Sequence, residues 1–141
     1  MFAVEVGSQV QVSTVDRLDG LHYWLDYAVN GVFAWCPKEA SKQNWIQVSI
    51  DQPRYWTDVI IQGRGDKNNW TKSFRVEYSI NGKYWYNVDE GNIFPANSDR
   101  NTKKRVTFGK PVYARALRIY PNSWHNHPCL RFDAVYINCQ P

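Results

Sequence analysis

The chain has 141 residues, enough for one domain with a real hydrophobic core that needs no metal to hold it. Its net charge of +4 is mild, and no basic block is longer than Lys103-Lys104-Arg105, which argues against a nucleic-acid partner. Aromatic residues make up 16%, with seven Trp and nine Tyr, so a few rings are expected at the surface.

No run is long enough to cross a membrane as a helix. Residues 1–6 are too short, and carry Glu5, to read as a secretion signal, so any such signal has been removed or lies outside this sequence. Residues 4–14 alternate loosely through Val4, Val6, Val10 and Val12 and read as an opening strand with a break at Gly7-Ser8. Residues 16–30 have no clean period and hold Leu18, Leu21, His22, Tyr23 and Trp24 among Asp and Gly. A loop of that length in a compact domain usually carries function, and its apolar groups make it a candidate binding tip. Ala34-Trp35-Cys36-Pro37 closes it, and 38–43 form a second polar loop.

Three strands then organise the chain. In 45–51, Ile46, Val48 and Ile50 take one face and Trp45, Gln47 and Ser49 the other, the period of a half-buried strand. Residues 57–62 are a β-branched run, apolar on both faces in the middle, as a covered strand would be. A third polar loop spans 63–71, and 73–79 alternates with Phe74, Val76 and Tyr78 inward. Asn81-Gly82 predicts a tight hairpin turn. The chain runs on through Tyr86 and Val88 to Gly91, a polar loop covers 95–104, and further strands are expected at 105–108, 114–120 and 130–137. About eight short strands without helical patterning predict an antiparallel all-β sandwich or jelly roll.

Three cysteines, Cys36, Cys129 and Cys139, have no Cys-x-x-Cys spacing, so neither a zinc site nor a thioredoxin-type motif is indicated. One long-range disulfide and one spare thiol is the simplest accounting, and it implies an oxidising compartment. His125 and His127 share a face of an extended segment but lack a third ligand; they read as ordinary loop histidines, and no metal is assigned. No cofactor is expected, a structural calcium ion being left open. Neither a base placed beside a cysteine nor a nucleophile-elbow pattern occurs, so no catalytic residue is assigned and the chain does not read as an enzyme. Arg64-Gly65-Asp66 spells the integrin tripeptide, which functions only at an exposed tip that presents its two charges oppositely. Asn69-Trp70-Thr71 is the sole N-glycosylation sequon.

The pieces Ala34-Trp35-Cys36-Pro37, Asn44-Trp45-Ile46-Gln47-Val48, Gln62-Gly63-Arg64 and Ser73-Phe74-Arg75-Val76-Glu77-Tyr78-Ser79 occur in a telling order. They continue with Phe94-Pro95-Ala96-Asn97-Ser98-Asp99, Pro111-Val112-Tyr113-Ala114-Arg115, Leu117-Arg118-Ile119-Tyr120-Pro121, Trp124 and Cys129-Leu130-Arg131-Phe132. In this order they resemble the discoidin domain, also called the coagulation factor V/VIII type C domain. The likeness runs from about Val10 to Cys139, and the stretch 62–78 is especially similar to the slime-mould discoidins.

The resemblance implies a single domain over 1–141, an eight-stranded antiparallel jelly-roll barrel of the galactose-binding-like type. Its loops at one end would capture glycans, anionic phospholipid head groups, or proteins such as collagen. It implies a Cys36–Cys129 disulfide, closing about 93 residues and contributing about 4–5 kcal/mol on chain-entropy grounds. Cys139 matches the family's last cysteine, whose usual partner is absent from residues 2–7. It also places Arg64 at a strand end where an arginine makes structural hydrogen bonds.

The same resemblance gathers three loops at one pole: Leu21, His22, Tyr23 and Trp24; then Lys38, Lys42 and Asn44; then Asp66, Lys67, Asn68 and Trp70. Flat aromatic faces beside fixed polar groups suit a sugar ring and its hydroxyls. The lysines, with Tyr23 and Trp24 as membrane spikes, suit an anionic membrane surface. The expectation is a non-enzymatic extracellular adhesion module that binds cell-surface glycans first, anionic phospholipid second, and a collagen or integrin partner third.

Overall fold

The alternating segments form the strands expected of them and join into one antiparallel array. A computed structural model describes residues 9–13, 29–30 and 34–137. Among these residues the strands are β1 (Gln9–Val12), β2 (Ile46–Gln62), β3 (Trp70–Ser79), β4 (Tyr86–Asn87), β5 (Phe94–Pro95), β6 (Lys104–His125) and β7 (Arg131–Ile137). Their order is β1-β2-β6-β3-β4, with β5 on β3 and β7 on β2. The array is the jelly-roll sandwich predicted.

The strand count differs from expectation for a specific reason. The two strands predicted at 45–51 and 57–62 are one bent strand, β2, and those predicted at 105–108 and 114–120 are one bent strand, β6. Their mutual register slips between Ser49/Arg54 and again between Trp56/Asp58. Pro53 lies in the first slip, on β2, and Pro111 in the second, on β6. A proline has no N–H to give to a ladder, so it survives within a strand where pairing is interrupted. Here it marks a bend and not a break.

Burial follows the period of two. Ile46 and Val48 of β2, Phe74 and Val76 of β3, and Leu117 and Ile119 of β6 are fully buried against Trp35, Trp56, Leu130 and Phe132. The second half of β2 pairs with β6 on one side and β7 on the other, Val59 facing Val106 and Ala134. That double coverage explains its unbroken apolar run. On the opposite face the Arg118 guanidinium of β6 lies 4.0 Å from the Trp45 ring and 4.0 Å from the Trp85 ring.

The expected tight hairpin at Asn81-Gly82 is instead a wider loop, since the first rung of β3 with β4 is Tyr78 to Tyr86. Gly82 has φ +80°, but Asn81 contributes through its side chain, whose oxygen accepts the N–H groups of Lys83 at 2.9 Å and Tyr84 at 3.1 Å. A short 3-10 turn, Val88–Gly91, follows β4 where no helical turn was predicted.

Candidate functional site

One pole of the barrel is built where β2 ends, β3 and β7 begin and β6 finishes. The disulfide Cys36–Cys129 is present and ties the segment after Trp35 to the segment before β7. Backbone hydrogen bonds between Trp35 and Leu130, at 2.9 and 3.0 Å, run alongside it. His127 Nε2 meets the Pro37 carbonyl at 2.6 Å, and the Asn126 side-chain amide donates to the Asn68 carbonyl at 2.7 Å. Thr71 Oγ1 donates to the Cys129 carbonyl at 3.4 Å. The second and third loops and the 125–129 segment are therefore stitched together.

Two buried arginines brace this pole, one through backbone carbonyls and one through side chains. Arg131 donates through Nε to the Gly63 carbonyl at 2.7 Å and through Nη2 to the Arg100 carbonyl at 2.9 Å. Its burial lowers its pKa below the ordinary arginine value, partly offset by the charge of Asp66. Arg64 donates to Asp66 Oδ1 at 2.7 Å and to Cys36 Sγ at 3.5 Å. The hydrogen bond from Arg64 holds the Asp66 carboxyl below the usual carboxylate range.

This arrangement corrects the integrin reading of Arg64-Gly65-Asp66. The Arg64 side chain is only 11% exposed and its charge is paired with Asp66 two residues on. A tripeptide whose arginine is turned inward and bound to its own aspartate does not present two opposed charges.

The loop surface itself combines a ring platform with polar groups. Trp70, half-buried, stacks on His125 with ring centroids 4.2 Å apart and planes 14° apart. Asp66, Lys67 and Asn68 are exposed on the loop that leads into Trp70, and Lys38 and Lys42 are exposed on the second loop. That second loop lines a concavity of about 400 Å³ with Ser13, Lys38, Glu39 and Asn44. Asn44 is buried, and its amide donates to the Glu39 carbonyl at 2.8 Å, so its side chain shapes this loop from within.

Leu21, His22, Tyr23 and Trp24 lie outside the described residues, as does Cys139. The described flanks of the first loop are both fastened at this pole. Ser13 Oγ donates to Asn44 Oδ1 at 3.1 Å, and the Asn30 N–H donates to Gln62 Oε1 at 2.8 Å. No group of three metal-ligating side chains occurs among the described residues. His125 and His127 serve instead as a stacking partner and a loop tie. The sequence reads them as ordinary loop histidines but does not reveal these duties, because the Trp70–His125 rung depends on a β3–β6 register that no local pattern shows.

Comparison with known proteins agrees with this architecture. Discoidin-2 of Dictyostelium discoideum is 30% identical over 104 residues, covering 74% of this chain and 40% of that protein. The matched region thus spans less than half the length of that relative. The solved structure of discoidin II from Dictyostelium discoideum superposes with a TM-score of 0.85 at 22% identity, covering 99% of this chain and 59% of the other. A family 32 carbohydrate-binding module from Clostridium perfringens, in complex with galactose, shares the fold with a TM-score of 0.70 at 18% identity, covering 94% and 96%. The F5/8 type C domain family model matches residues 9–133, and the chain belongs to that family.

Proposed function

We propose that the chain is a non-enzymatic, extracellular adhesion module that captures cell-surface glycans at the loop pole. The observation that carries this reading is the Trp70–His125 stack, a flat ring platform entered by a loop on which Asp66, Lys67 and Asn68 are exposed. A pyranose ring stacks on such a face while its hydroxyls meet fixed donors and acceptors. The galactose complex of the fold-related bacterial module supports a sugar as the class of ligand. Leu21, His22, Tyr23 and Trp24 stay within the proposed surface on the strength of their flanks, Ser13 and Asn30, which fasten at this pole. Extracellular placement rests on the disulfide, which persists in oxidising compartments.

A second reading, anionic phospholipid, is favoured by the exposure of Lys38, Lys42 and Lys67 on the same loops. Each lysine near an anionic surface contributes about 1 kcal/mol, screened by salt within about a Debye length. A glycan array run beside a liposome pull-down separates the two. Glycan retention that barely changes from low to physiological salt supports the first reading. Retention on phosphatidylserine vesicles alone, lost steeply with salt, replaces it with the second. Product released from a retained glycan overnight would overturn the non-enzymatic reading.

A further inference from the structure

The far end of the barrel carries a second concavity of different chemistry. β3 leaves the loop pole at Trp70 and reaches the opposite end at Ser79, about 30 Å away at strand rise. There a cleft of about 710 Å³ opens, a size ordinary for ligand sites. Tyr78, Ile80, Val112 and Tyr113 supply apolar lining, and Asp89 and Glu90 supply carboxylates.

Two features distinguish this cleft from ordinary surface. Ile80 is 48% and Tyr113 46% exposed, and Tyr86, whose ring packs 5.8 Å from Tyr78, is 56% exposed. Exposed aromatic and apolar groups clustered about a concavity mark interaction sites more often than scattered ones do. The second feature is charge. Asp89 and Glu90 against Lys110 leave the lining at a formal −1 (two acids less one base), on a chain whose total is +4. Glu90 is exposed, while Asp89 accepts the Gly109 N–H at 2.7 Å through one oxygen and so is held at the cleft by the β6 bend.

We propose that this cleft docks a segment of a protein partner bearing an arginine or lysine beside an apolar residue. The apolar parts lie against Ile80 and Tyr113, and the cationic head meets Glu90 and Asp89. An aliphatic stem carrying a terminal cation matches an apolar wall that ends in carboxylates. An anionic ligand meets the wrong charge here, and the site is independent of glycan capture at the other pole.

The test uses the whole chain and a fluorescein-labelled, amidated peptide, Gly-Leu-Arg-Leu-Arg-Gly, read by anisotropy. A matched peptide with citrulline in place of arginine keeps shape and removes charge. Binding should saturate and weaken by about two- to fivefold with citrulline and with Glu90→Gln, the scale of one exposed charge pair, and should weaken with Tyr113→Ala as apolar contact is lost. Amide shifts should fall on residues 78–90 and 109–113, and Trp70→Ala should leave the affinity unchanged. Equal affinity for the citrulline peptide, shifts centred on 63–70, or no saturation at millimolar protein would each overturn the proposal. The citrulline arm needs no folded variant, and a failure here leaves the glycan result at the other pole untouched.

Discussion

Trp70 and His125 are direct partners on the last rung between β3 and β6, and their rings stack with planes 14° apart. The stack sets one face of the half-buried indole against a neighbour, so a ligand bound there as proposed would meet a ring whose rotamer freedom is already reduced. Pre-ordering of this kind lowers the cost of binding. Trp70→Ala should abolish glycan retention. Because Trp70 is only half-buried, the stability loss should be about 1–2 kcal/mol, below the about 3–5 kcal/mol of a fully buried tryptophan. Urea unfolding beside a glycan-retention assay checks both; unchanged retention would remove the platform from the site.

Gly63 stands where three pieces of backbone converge under that platform. A Cβ placed on it would come within 2.7 Å of Arg100 Cα, 2.8 Å of Trp70 Cβ and 2.9 Å of the Asp99 carbonyl oxygen. These neighbours are backbone or the root of a side chain, so none can swing aside. Gly63→Ala should therefore cost about 1–3 kcal/mol by overpacking and shift the Trp70 indole resonance. A urea midpoint equal to that of the wild type, with an unmoved indole signal, would show that the loops yield more readily than this packing implies.

What could be read from the chain follows from range. Ile46, Val48, Phe74, Val76 and Leu117 announce themselves because a strand with one covered face repeats every two residues, and that signal is local. The bends at Pro53 and Pro111 looked like strand ends, since the slip in register that shelters each proline is a property of the β2–β6 pair. The Asn81-Gly82 signal located a turn correctly but not its width, which the Tyr78–Tyr86 rung sets. At the loop pole the residue types were legible while their duties were not. Asn44 is spent inside its loop, Arg64 pairs with Asp66, and Arg131 clamps Gly63 from 68 residues away. The Trp45–Arg118–Trp85 stack is likewise invisible without the register that brings the rings to either side of one guanidinium.

The Cys36–Cys129 bond closes a span of 93 residues and lies among the segments that form the loop pole. Its effect on the unfolded chain alone should be about 4–5 kcal/mol by loop-closure entropy. Replacing both cysteines with alanine should lower the urea midpoint accordingly while the Trp35–Leu130 backbone bridge keeps the two segments in register. Glycan retention below the new midpoint should then persist, weakened. Non-reducing peptide mapping of the native chain should recover Cys36 and Cys129 in one linked fragment, and finding both thiols free would undo the argument for an oxidising compartment.

Acid stability should be set in part by Asp58, which is 5% exposed within β2. Burial pushes its pKa up, but hydrogen bonds from Arg105, Thr107 and Thr57, with the Arg105 charge, outweigh burial and leave it lowered. A carboxyl depressed in the folded state contributes stability above its unfolded value, near 3.9, and that contribution is lost as pH falls through the lower folded value. Asp66 and Asp99 are lowered as well, so several carboxylates share the acid limb. Stability should hold flat from neutral pH to about pH 5 and fall progressively below about pH 4. Asp58→Asn should cost about 1–2 kcal/mol at pH 7, where a charge-assisted bond to Arg105 at 3.0 Å is lost, and should flatten the fall below pH 4. Urea midpoints measured from pH 2 to pH 7 decide it: an acid limb equally steep in the variant would mean that the other carboxylates carry the whole effect.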